Sequence, residues 1–532
     1  MKRLLLAIIL ILSLIFTSCS SSQENPGVTD NESENGSDGN TDSGGGNSGS
    51  DGLTDSTHTH TDTDNNTKCD VCGIYVIVEL DFYAINDLHG KFADSDSQPG
   101  VNELTTYLKK AYEDNQNALL LSSGDMWQGS SESNLTKGLI VTDWMNELSF
   151  TSMTLGNHEF DWGEEPIKSN LAIAKFPFLA INIYDKSTNK RVEYAEASVM
   201  VEKSGVKVGI IGAIGDCYSS IAPDKVENLY FKTGSELTEL VMNESKRLRE
   251  NGADLIVYSI HDGHGSSGGS VISDSKLSSY YSPSLSKGKY VDIVFEGHSH
   301  KNYVLLDSYG VYHLQNGGEN KGISHAEIKF NIANDKYAVT ESEVVSSSDY
   351  SKHTPDTLID TLLKKYESLI AIGNEVLGTN AKKRYSTELE KLVSKLYLET
   401  GLKKWGSQYE VFLGGGFIKA RSPYDLEAGE VTYSELQAIF PFDNELTLCS
   451  IKGKYLKSKF LNTTNEDYYV SLSDYGEAKK GTVDDNATYY IIVDSYTSSY
   501  APNKLTVIDT YDKITFARDL LAEHVKGGGL NN

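Results

Sequence analysis

Four apolar, β-branched runs in this chain each end in a metal-ligating side chain set beside a glycine or tight turn. They terminate at Asp87-Leu88-His89, Gly124-Asp125, Gly156-Asn157-His158-Glu159 and Gly297-His298-Ser299-His300. A fifth run, residues 254–260, leads into His261. Runs of this length and composition read as buried strands. Between them, residues 101–112, 141–148 and 237–250 carry helical apolar spacing. Strands alternating with helices define an α/β architecture, in which ligands collect at the carboxyl ends of the strands.

One such cluster has little weight. A lone Asp after a strand usually caps a helix or turn, and a lone His is usually structural. Together the five segments lead to a binuclear metal site. Asp87 and His89 are two residues apart, and an extended backbone turns positions i and i+2 the same way, so both are expected to reach one ion. Gly124 lets the chain turn tightly and present Asp125, whose two oxygens can bridge a pair of metals. Asn157 offers an amide oxygen, and His261, His298 and His300 offer imidazoles. This nitrogen and oxygen donor set suits Zn, Mn, Fe or Co. Two such ions clamp and neutralise a phosphoryl group. The site therefore favours cleavage of phosphate esters. His264 reads as loop packing or as a hydrogen-bonding neighbour of the site.

At 532 residues the chain exceeds one ordinary core. Its formal charge of −27 disfavours nucleic-acid polymers and anionic lipid surfaces as partners. A small anionic substrate stays compatible, because bound cations reverse the local field. Residues 20–67 hold ten acidic residues and no Lys or Arg, so part of the excess belongs to a polar segment that cannot bury a core.

The first residues, Met1-Lys2-Arg3, precede an apolar run over 4–16 and then Thr17-Ser18-Cys19. This is the pattern of an export signal over 1–19, too short for a typical membrane span. Cys19 resembles a bacterial lipoprotein cleavage site. The expectation is an exported protein that meets the membrane only through lipid on Cys19; the alternative is an ordinary secretory signal with an incidental cysteine. Residues 20–73 read as a flexible acidic tether. It ends in His58, His60, Cys69 and Cys72, which fit either a small zinc knuckle or a Cys69–Cys72 disulfide or free thiols. Cys217 and Cys449 lie in or beside apolar runs and read as plain buried cysteines. Oligomeric state is left open.

Further on, residues 356–372 have the spacing of one connecting helix. A second α/β region follows, with a helix at 389–400, a loop at Gly414-Gly415-Gly416, strands at 445–451 and 489–493, and a closing helix at 516–524.

The blocks Asn86-Asp87-Leu88-His89-Gly90, Gly124-Asp125, Gly156-Asn157-His158-Glu159-Phe160-Asp161 and Gly297-His298-Ser299-His300 resemble those of the calcineurin-like metallophosphoesterase superfamily. More closely, residues 76–526 resemble the bacterial 5′-nucleotidase/UDP-sugar hydrolase/2′,3′-cyclic phosphodiesterase family. The resemblance implies a four-layer αββα catalytic domain over 74–350, a linking helix over 351–375 and a smaller α/β substrate-binding domain over 376–532. It implies that Asp87 and His89 hold one divalent metal, with His300 completing its shell. Asp125 would bridge, and Asn157, His261 and His298 would hold the second. His158 becomes the catalytic imidazole beside the leaving group, oriented by Asp161.

In the second domain Phe440-Pro441-Phe442-Asp443-Asn444 resembles the family's base-stacking block, so Phe442 is one candidate ring and Tyr496 the other. The alternative for both is core packing. The family's Asn-Gly-Gly-Gly-Ile-Arg block stands here as Leu413-Gly414-Gly415-Gly416-Phe417-Ile418. Its arginine is absent from register, and Lys419 or Arg421 are the candidates to replace it. Arg384 matches another family arginine. A glycine-rich loop of the family is replaced by Tyr500-Ala501-Pro502-Asn503-Lys504. The implied activity is a cell-surface 5′-nucleotidase acting on nucleoside monophosphates. The rivals are a cyclic-nucleotide phosphodiesterase or UDP-sugar hydrolase and, from a different class, a non-catalytic surface-binding lipoprotein.

Overall fold

The structure, a computed structural model, describes residues 60–63, 68–92, 100–264, 289–420, 425–462, 468–512 and 515–531. These fall in one compact unit, Asp55–Asn532. The readings placed on the export signal, Cys19, most of the tether, His58 and Arg421 lie outside the described residues.

Two six-stranded sheets form the first half of this unit. One runs in the order Lys336–Ser346, Gly322–Asn331, Ile77–Ile85, Leu119–Ser122, Ser152–Thr154, Phe178–Leu179. Its last four strands are parallel. The other runs Tyr303–Leu306, Tyr312–Gln315, Ile293–Phe295, Leu255–His261, Val206–Ile214, Ser198–Lys203. Its middle four strands are parallel.

Period-two alternation stacks the sheets. In Ile77–Ile85, Val78, Leu80, Phe82 and Ala84 point into the core between sheets, where they meet Val206, Val208, Leu255, Val257 and Phe295. Tyr83 and Ile85 point the other way and pack under the helices Val101–Asp114 and Leu139–Glu147, through Leu104, Leu108, Val141 and Trp144. Ile256, Tyr258 and Ile260 pack under the helix Gly234–Glu250, through Leu237, Val241 and Leu248. The result is four layers, αββα, as the resemblance implied.

Several elements differ from the sequence reading. The expected strand at 178–183 breaks into Phe178–Leu179 and Ile183–Asp185. Buried Asn182 sits at the break and donates to the carbonyls of Ile214 and Lys232. The expected connecting helix is in pieces, Leu358–Lys365, Glu367–Ile370 and a 3₁₀ turn at Ala371–Asn374. Helical geometry is lost at Tyr366, whose buried hydroxyl donates to Asp143 at 2.6 Å. The four strands between Tyr303 and Ser346, which complete both sheets as two antiparallel pairs, were not anticipated. Their outward residues are mixed in polarity.

The remaining residues form a five-stranded sheet in the order Tyr468–Leu472, Val411–Phe417, Thr488–Asp494, Leu446–Lys452, Thr506–Thr510. Gly414, Gly415 and Gly416 were expected in a loop but lie inside the strand Val411–Phe417. Close packing explains them. A Cβ on Gly414 would stand 2.5 Å from the backbone nitrogen of Leu398, on the helix Ser386–Trp405 that crosses this sheet. One on Gly415 would collide with the carbonyl of Tyr469 on the neighbouring strand.

Candidate active site

The carboxyl ends of the parallel strands in both sheets converge on one buried cluster. Asp87 and His89 follow Ile77–Ile85, Asp125 follows Leu119–Ser122, and Asn157 follows Ser152–Thr154. His261 closes Leu255–His261, and His298 and His300 follow Ile293–Phe295. Asp87, His89, Asp125, Asn157 and His261 are each at most 2% exposed, too dry to be solvated polar groups.

The local backbone is not the extended one expected. Asp87 (φ 52°), His89 (φ 52°), Asp125 (φ 56°), His298 (φ 70°) and His300 (φ 52°) all occupy the left-handed region. That conformation costs about 1–2 kcal/mol per non-glycine residue and concentrates at functional sites. Asp87 and His89 share a direction because both turn left-handed, not because the strand continues.

Donor atoms face one another across short gaps. Asp87 Oδ1 is buried and takes no hydrogen bond. Around it stand His300 Nε2 at 3.2 Å and the Nε2 atoms of His89 and His261, each at 4.0 Å. His89 Nε2 lies 3.3 Å from His300 Nε2. His261 Nε2 lies 3.0 Å from Asp125 Oδ2 and 3.2 Å from Asn157 Oδ1. Two groups result, Asp87–His89–His300 and Asp87–Asp125–His261, with Asp87 common to both. His298 gathers instead with His261 and Cys217.

The tautomers support ligation. His89 Nδ1 lies 2.6 Å from the carbonyl of Gln128, and His261 Nδ1 lies 2.7 Å from that of Ser123. A carbonyl only accepts, so each Nδ1 carries a proton and Nε2 is the ring atom turned into the cluster, where it can ligate a cation in place of its own proton. Burial opposes charge on Asp87, but contact with His300 and the charge of that ring hold its carboxyl below the usual value. Burial likewise opposes Asp125, and the charges of His261 and His158 hold it well below. Burial pushes the His261 imidazole down, yet Asp125 and Asp87 outweigh this and hold it at about 10. Burial and the neighbouring charge of His261 depress His298 to about 4. The cluster is an anionic well that attracts positive charge. Converging Nε2 atoms, an orphaned carboxylate oxygen and the amide oxygen of Asn157 fit divalent cations.

Glu159 was not singled out in the sequence, although it lies inside a ligand block. It is fully buried. Its Oε1 accepts N–H bonds from Met126 and Trp127, and its Oε2 accepts them from Asp125 and Gly156. Burial and the Asp125 charge push this carboxyl up to about 7. Cys217, read as a plain core residue, donates from Sγ to the carbonyl of His261 at 2.8 Å.

His158 stands at the rim. Its Nδ1 is 2.8 Å from Asp161 Oδ2 and its backbone N–H donates to Asp125 Oδ1 at 2.8 Å. Its ring is near-parallel to Phe442, with centroids 6.1 Å apart. A cavity of about 280 Å³ opens here, lined by His158, Asp161, Phe417, Lys419, Phe442 and Tyr496 among others. Phe417 was missed as a lining residue; its ring packs against Tyr496 at 5.3 Å. Arg384 does not line this cavity. Its guanidinium donates to Asn380 Oδ1 and to the carbonyl of Leu530, holding the C-terminal tail. The buried arginine near the cavity is Arg518, which donates to the carbonyl of Phe442 and pairs with Asp443.

Residues 80–302 match the calcineurin-like phosphoesterase family. An apyrase from Tabanus yao is 25% identical over 421 residues, covering 72% of each chain. A 5′-nucleotidase from Vibrio vulnificus is 26% identical over 419 residues, covering 69% of this chain and 72% of that one. Among solved structures, a 5′-nucleotidase precursor from Thermus thermophilus shares the fold with a TM-score of 0.62 at 20% identity, covering 85% of this chain and 96% of that one.

Fold, site and family together define a metal-dependent hydrolase of phosphoric ester bonds. The calcineurin-like phosphoesterase match covers residues 80–302, and the two donor groups within them could hold divalent metal ions.

Proposed function

We propose that this protein is an extracytoplasmic 5′-nucleotidase, anchored through lipid on Cys19, that releases phosphate from nucleoside monophosphates. The observation that carries the reading is the contact between His158 and Phe442. It joins the anionic cluster to an aromatic cavity wide enough for a base. The name of the Vibrio vulnificus relative, a 5′-nucleotidase, supports the same substrate class.

In this reading Asp87, His89 and His300 would hold one divalent cation, and Asp125, Asn157, His261 and His298 would hold the other. The cations supply charge neutralisation at the phosphoryl oxygens and an acidified water. The chain's own residues do the rest. His158 presents Nε2 toward the transferred group, because Nδ1 is engaged by Asp161. The carboxylate favours the imidazolium, which stabilises charge building on the phosphoryl or leaving oxygen. Phe442 and Tyr496 offer flat faces to the base, and Lys419 a cation to the substrate's polar part. Residues 74–350 then carry the chemistry and 376–532 the leaving-group specificity, joined through 351–375.

The test is hydrolysis by the metal-loaded protein of nucleoside monophosphates, 2′,3′-cyclic nucleotides and UDP-sugars, read by chromatography of the nucleoside, nucleotide and sugar-phosphate products, with Asp125→Asn and His158→Asn as controls. Monophosphates are expected to be the best substrates. A preference for either other class would instead support the reading as a cyclic-nucleotide phosphodiesterase or UDP-sugar hydrolase. Activity on none of them, or activity surviving both substitutions, would overturn the assignment.

A further inference from the structure

His60, Cys69 and Cys72 converge on the amino-terminal side of the sandwich, outside the catalytic cluster. His60 Nδ1 lies 3.4 Å from Cys72 Sγ, and the three ligand atoms are all within 4.8 Å of one another. No disulfide joins the two sulfurs. A tight turn places them. Gly73 N–H donates to the carbonyl of Cys69, Cys69 N–H donates to that of Ile74, and Gly73 has φ of 76°. A Cys-x-x-Cys-Gly turn of this shape aims main-chain N–H groups at its first sulfur, and here those of Val71 and Cys72 bond to Cys69.

The His60 arm is fixed to the same turn independently. Asp70 N–H donates to the carbonyl of Thr61, and Asp70 Oδ2 accepts from both the N–H and the hydroxyl of Thr63. The imidazole is therefore delivered to the sulfurs by a braced segment.

We propose that His60, Cys69 and Cys72 form a zinc site, separate from the catalytic pair, that clips the chain where it enters the sandwich. Two thiolates and an imidazole are a soft donor set that selects zinc over magnesium, calcium or manganese. The clip has a mechanical role. Lys68 and Tyr75 pair across the turn, and the strand beginning at Ile77 ends beside Asp87. The zinc thus closes the foot of the strand whose other end carries the first catalytic donors.

The test uses the full chain purified without chelator. Elemental analysis is expected to give one zinc more per chain in the wild type than in Cys69→Ser/Cys72→Ser, with kcat for phosphate release unchanged. Cobalt substitution should give thiolate-to-metal absorption that the double variant lacks. If that variant does not fold, alkylation decides. Zinc should protect Cys69 and Cys72 of the wild type from iodoacetamide, and EDTA should remove the protection. Equal metal content in both proteins, alkylation indifferent to zinc, or a Cys69–Cys72 peptide lighter by two hydrogens in the freshly purified protein would each overturn the proposal.

Discussion

Glu159 accepts the backbone N–H of Asp125 at 2.9 Å, and the same carboxylate oxygen accepts that of Gly156 at 2.7 Å. One fully buried side chain thereby ties together the loops after two neighbouring strands, each bearing a metal donor. The left-handed turn at Asp125 is held by this contact. Glu159→Gln turns an amide NH₂ against two of the four N–H donors. The expected cost is about 1–3 kcal/mol of stability, with a fall in metal affinity of about 10–100-fold. Thermal unfolding and metal titration read the two effects separately, and unchanged affinity would show that the loops are held by other means.

His158→Asn should lower kcat by about 10²–10⁴-fold with the metal content intact. Asp161→Asn should act through His158. Removing the carboxylate charge lowers the imidazole pKa, so the protonated form is lost at lower pH. The alkaline limb of the kcat/KM profile is expected to shift toward acid. A uniform drop with no shift would count against the cationic role of His158.

Asp443 joins the two halves of the compact unit. It pairs with Lys137 at 2.6 Å and with the buried Arg518. Burial opposes its charge, but Arg518 and then Lys137 hold its carboxyl below the usual range. For a carboxyl lowered in the folded state, the stabilisation is present above the unfolded pKa, about 3.9, and is lost as pH falls through the folded value. Asp443→Asn leaves Arg518 buried without its anion and should cost about 3–5 kcal/mol at neutral pH. Lys137→Met removes a well-exposed partner and should cost under about 1 kcal/mol. Denaturant unfolding of wild type and Asp443→Asn across pH should show a constant gap from neutral pH down to mildly acidic pH that closes in stronger acid.

Phe442→Ala and Tyr496→Ala should raise KM for nucleoside monophosphates. Stacking is worth about 1–3 kcal/mol per base, which corresponds to roughly 5–150-fold. Glycerol phosphate, which has no base to stack, should be hydrolysed equally by wild type and variants. Equal losses on both esters would mean that the rings support His158 rather than bind a base.

The donors of the cluster were legible in the sequence because residue type and position at a strand end suffice to nominate them. Their left-handed backbone was not legible. It depends on closures such as Glu159 to Met126, 33 positions apart. Glu159 itself reads as one acidic residue among donors until its four N–H partners are seen. Phe417 escaped notice because a strand-end aromatic looks like core. Gly414 to Gly416 suggested a loop, since the Leu398 backbone that forces small residues there comes from another element. Arg384 was placed by register, and register does not report that Asn380 and Leu530 already occupy its guanidinium.

The ring beside His158 belongs to Phe442, whose carbonyl is gripped by Arg518, while every donor of the catalytic cluster springs from the αββα sandwich. Reaction and address are thus written on different parts of the chain. Under the proposed function, substitutions around Phe442, Phe417 and Tyr496 would redirect the enzyme to a new leaving group without disturbing a single donor of the catalytic cluster.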